Sequence, residues 1–103
     1  MSDAPMLPDT IVRVVSGTLA DNNAATVDLA ALFPGGRVVG FEIKNTHASG
    51  DLYWTGHSDT AVVTDAPVLF GESSGYIPSN DKTLSLIREA GVAVTYVIVA
   101  VGR

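Results

Sequence analysis

Short apolar runs separated by polar turn clusters recur along the chain, and no amphipathic helix of normal length is discernible. The clearest alternation is RVVGFEIKNT, residues 37–46. Val39, Phe41 and Ile43 share one face while Glu42 and Lys44 share the other, which predicts a strand with one wet side. Before it, TIVRVVSGTLA (10–20) reads as a strand, DNN as a turn, and AATVDL (24–29) as the returning strand. AALFPGG (30–36) has room for one helical turn before Pro34-Gly35-Gly36 stops it. Beyond the clear strand, DLYWTGH (51–57) reads as the second arm of a hairpin. AVVT (61–64) and PVLF (67–70) follow as short strands, and KTLSLIR (82–88) with VAVTYVIVAV (92–101) as a closing hairpin. About seven strands at this spacing predict an all-β domain over 10–103, a compact antiparallel β-sandwich or small barrel. The first nine residues, with Pro5 and Pro8, predict an extended N-terminal arm.

The final strand departs from one-wet-side behaviour. Val92, Val94, Tyr96, Ile98 and Ala100 fall on one face; Ala93, Thr95, Val97, Val99 and Val101 fall on the other. Both faces are largely apolar, whereas a strand with a solvated face alternates. Either the strand is covered on both sides within one domain, or a neighbouring subunit covers its outer face. A sandwich has only two layers, which favours the neighbour. The first strand, with Val12 and Val14 against Ile11 and Val15, behaves the same way.

Charge narrows the partners. Six basic and eleven acidic residues give a net charge of −5, and the basic ones are scattered, which argues against nucleic acid. With no cysteine, neither disulfides nor thiolate metal sites are available. The opening MSDAPMLPDT lacks the basic and apolar regions of a signal peptide, and residues 92–101 are about half the ~20 residues a spanning helix needs. A soluble acidic protein is expected.

Gly71-Glu72-Ser73-Ser74-Gly75 matches G-x-S-x-G, the nucleophile elbow of serine hydrolases. That elbow needs a following helix and a downstream histidine. Pro78 follows instead, and His47 and His57 both precede Ser73. The pairs His57/Asp59 and His47/Asp51 lack a third ligand, and the carboxylates are spread about one per loop. No catalytic, cofactor or metal site is therefore expected. Tyr53-Trp54 is the best recognition candidate: Trp54 shares a face with Leu52 and is assigned to the core, which leaves Tyr53 outside. Met6 and Leu7, between two prolines, suit an arm that docks on a neighbour. The interface candidates are thus Met6, Leu7, Tyr53, Val97, Val99 and Val101.

Residues 38–101 resemble small all-β virion structural proteins of tailed bacteriophages. The resemblance rests on Asn45 ending a strand, Asp51-Leu52-Tyr53 with Gly56 as a middle strand, the Gly71-Glu72-Ser73 turn, and apolar strands from Leu84 to Val101 broken by AGVAV. Phe70 stands where such proteins usually have proline, and GYIPSNDK lengthens the next connection. The resemblance implies a non-enzymatic capsid decoration or cement protein that binds the major capsid protein or other virion proteins. A homo-oligomer follows from the same reading, with a trimer expected. Its location would be the capsid surface after assembly in the host cytoplasm. The alternative is a tail, fibre or connector module that binds a host-surface receptor through Tyr53, His57 and neighbouring loops.

Overall fold

A computed structural model describes residues 10–103. Their strands are β1 (Ile11–Leu19), β2 (Ala25–Asp28), β3 (Val38–Asn45), β4 (Leu52–Thr55), β5 (Ala66–Val68), β6 (Ile77–Pro78), β7 (Thr83–Arg88) and β8 (Val94–Gly102). One 3₁₀ turn, Ala30–Leu32, stands where a single helical turn was expected. Two antiparallel four-stranded sheets result, sheet A in the order β1-β8-β3-β6 and sheet B in the order β2-β7-β4-β5. The fold is an open β-sandwich, not a closed barrel. No helix among the described residues is long and apolar enough to cross a membrane.

The core forms where the inward faces meet. Phe41 and Ile43 of β3, Val94, Ile98 and Ala100 of β8, Leu52 of β4, and Leu84 and Leu86 of β7 are all essentially inaccessible to water. Trp54 also points inward, with its ring edge-on to Phe41 at 5.4 Å and 88°, a favoured aromatic geometry. It is packed against the core yet partly exposed, because it stands at the open end of the sandwich.

Several expectations need correction. The three predicted hairpins do not form, because every connection except β4–β5 crosses between the sheets. Edge occupancy explains this: β3 is flanked by β8 and β6, and β8 by β1 and β3, so β4 and β7 pair with each other instead. Residues 61–64 are not a strand. Ala61 is buried, donating its N–H to Ser85 Oγ (2.9 Å), and the Asp65 carboxylate accepts from Val62 N–H (2.8 Å) to close a turn. The register shifts between Val38 and Gly40, so Val38 is buried at 4% exposure and Val39, expected in the core, is only half-buried.

Asn45 makes the first inter-sheet corner of β3. Its buried amide donates to the carbonyls of Gly50 (2.7 Å) and Val68 (3.0 Å), and its Oδ1 accepts from His47 N–H (2.9 Å). The Nδ1 of His47 in turn accepts from Ser49 and Gly50 N–H. A polar side chain thus redirects the chain from sheet A to sheet B, satisfying backbone groups that leave the ladder.

Candidate functional site: the outer face of sheet A

The register of β8 builds the outer face in rows. Val101 lies between Val12 and Gly40, Val99 between Val14 and Glu42, and Val97 between Ser16 and Lys44. Directly opposed residues in an antiparallel pair share a face, so these rows form one surface. The next row is polar: Thr95 stands between Thr18 and Thr46, whose hydroxyl bonds that of Thr95 at 2.9 Å. Apolar character is therefore concentrated toward the Val12/Val101 end. Val12 is 55% and Val14 63% exposed, whereas the three β8 valines are half-buried.

Tyr76 extends the patch. A Cβ at Gly40 would lie 2.1 Å from its hydroxyl oxygen, so the phenol ring covers the backbone where the β3 register shifts. Only glycine permits that approach.

The segment Gly71–Gly75 borders this face along the edge of β3. Ser74 N–H donates to Ile43 O (2.8 Å), and Ser74 Oγ accepts from Ile43 N–H (2.9 Å). Gly71 N–H reaches Asn45 O, and Asn45 N–H reaches Glu72 O. Ser73 Oγ donates a short hydrogen bond to the Glu42 carboxylate. The chain then runs to β6 without a helix. What looked like an elbow is a clasp on an otherwise unpaired strand edge, and Gly71 and Gly75 adopt the positive φ their turns require.

The candidate interface residues divide into separate places. Val97, Val99 and Val101 join Val12, Val14 and Tyr76 on one patch. Tyr53 lies on the outer face of sheet B, opposite Pro67 and Ile87, and so on the other side of the molecule. Met6 and Leu7 lie outside the described residues. Tyr76 was missed by sequence reasoning, because its position depends on the clasp and not on strand periodicity. Gly40, inside an apolar strand, was the available signal of a close approach.

His57 lies at the end of β4, where its Nδ1 meets Asp81 Oδ1 at 2.8 Å. It lines a cleft with Phe41 and Trp54 that Tyr53 does not reach. Among the described residues, no group of three or more His, Asp or Glu side chains is placed to hold a metal ion. No protein-family model, curated protein or solved structure matches this chain.

Proposed function

We propose that this chain is a non-enzymatic structural subunit of a tailed-phage particle, most simply a capsid decoration or cement protein acting as a small oligomer, with a trimer expected. The observation that carries the reading is the valine patch on sheet A. A sandwich has no third layer for it, so a second protein surface is its natural cover.

Magnitude says how such a surface would act. Three strands by three rows cover roughly 300 Å² at ordinary strand spacing and rise. A standard interface takes about 800 Å² from each partner. Valines fill five of the nine positions, so at about 25 cal/mol per Å² of apolar area the patch contributes roughly 4 kcal/mol before association costs at least as large. The patch alone therefore supports weak, reversible association. Repetition on a symmetric shell turns weak sites into firm attachment, and an arm bearing Met6 and Leu7 would add area. The acidic net charge of −5 suits a subunit that keeps clear of packaged nucleic acid.

The test is mass spectrometry of purified particles from a phage that encodes this chain. Its peptides should be present in repeated, near-stoichiometric copy number. Particles that carry none of it overturn the proposal.

A further inference from the structure

The cleft beside His57 goes beyond that reading and does not depend on it. It opens between the β5 edge of sheet B and the β6 edge of sheet A, with a volume of about 530 Å³. Phe41, Trp54 and Ile77 supply apolar walls, while Asp65, Asp81 and His57 supply polar ones. None of the described residues lining it is a lysine or arginine.

Asp81 is the unusual member. Its side chain is only 9% exposed, and its side-chain partner is His57, itself 81% exposed. The backbone has been shaped to admit this carboxylate: a Cβ at Gly56 would lie 2.2 Å from Asp81 Oδ2. The adjoining His57 and Ser58 hold φ of 56° and 64°, a conformation that side chains other than glycine's rarely adopt. Thus a carboxylate held by His57 lines a cleft that Trp54 also lines. Asp65, which accepts from Val62 N–H through one oxygen, lines the same space, and no lysine or arginine is among the described lining residues.

We propose that this cleft binds the guanidinium of an arginine side chain presented by a partner protein. Two carboxylates faced by one imidazole and by no lysine or arginine among the described lining residues complement a cation. A weakly hydrated planar cation on an apolar stem also fits aromatic and aliphatic walls better than a compact ammonium does. A neutral sugar would use the rings and the hydrogen-bond acceptors but not the paired negative charge.

Trp54 is the chain's one tryptophan, so its fluorescence reports on the cleft directly. The experiment titrates the full chain with argininamide, with neutral citrullinamide, with methyl glucoside, and with a short arginine-bearing peptide, all at matched ionic strength. A saturable millimolar response to argininamide, tighter binding of the peptide, and no response to the two neutral compounds are expected. Asp81→Asn should weaken binding about tenfold or more, and Asp65→Asn should weaken it less. Gly56→Ala, which displaces the Asp81 carboxylate without removing it, should also weaken it. Because Asp65→Asn leaves the Asp81–His57 pair intact, it keeps the test decisive if Asp81→Asn does not fold. Absence of a saturable response to argininamide overturns the proposal, as does an equal response to citrullinamide or the glucoside. Equal affinity for peptide and argininamide overturns the assignment to a protein partner.

Discussion

Asn45 concentrates more of the architecture than any other single polar residue described. It is 2% exposed and bonds three backbone groups, two on the loop that follows it and one on β5. Asn45→Ala leaves the Gly50 and Val68 carbonyls and the His47 N–H unpaired, so a loss of about 3 kcal/mol is expected in urea unfolding. Asn45→Asp should be no milder, since it sets a carboxylate against two carbonyls. On β8 directly opposite Asn45, burial raises the pKa of Tyr96 above the usual phenol value of 10.0. Its ring lies over Gly17, where a Cβ would meet the hydroxyl at 2.6 Å. The unfolded chain releases this proton first as pH rises, so the neutral phenol's contribution to stability is complete below pH 10 and declines above it. Unfolding free energy measured from pH 9 upward should fall for the wild type and fall less for Tyr96→Phe. Residue chemistry of this kind was only half legible in the sequence. Asn45 could be placed at a strand end, but its bond to Val68 of β5, 23 residues on, exists only once the fold brings the two together.

At the scale of the element, β8 carries the account. Ile98 and Val99 are neighbours in sequence with opposite surroundings: Ile98 is fully buried, whereas Val99 lies in the outer row between Val14 and Glu42. Ile98→Ala should cost about 3 kcal/mol in unfolding free energy. Val99→Lys should change it by less than about 1 kcal/mol, the span of strand propensity, because the position opens to solvent in the single chain. Chemical denaturation of both variants checks the contrast. Period-two patterning exposed both faces of β8 in advance, and it placed most strands within one or two residues. It did not reveal which strands pair. Tight hairpins were the default for consecutive strands, yet β6 and the Gly71–Gly75 clasp take the free edge of β3, and β8 is filled by β1 and β3. β6, two residues long and containing Pro78, has no pattern to detect at all. Neither has the turn at Val62–Asp65, where a valine pair imitates a strand while a carboxylate caps the backbone.

For the whole molecule, two different surfaces stand apart. Sheet A offers a valine patch grading into threonines, and the open side between β5 and β6 offers an acidic aromatic cleft. The first was foreseeable from β8, although Val12, Val14 and Tyr76 complete it only through the sheet order and the clasp. The second was not, since Trp54 comes from β4 and Asp65 and Asp81 from two separate connections that no sequence spacing relates. Under the proposed function, such a subunit joins an assembly by covering the exposed face of sheet A. Sedimentation velocity across a wide concentration range, on wild type and Val99→Lys together, tests that claim most directly. The wild type should move reversibly from one-chain mass toward a small multiple, with three expected, while the variant stays at one-chain mass with its fold intact. A wild type that remains at one-chain mass at the highest concentration, indistinguishable from Val99→Lys, would contradict it.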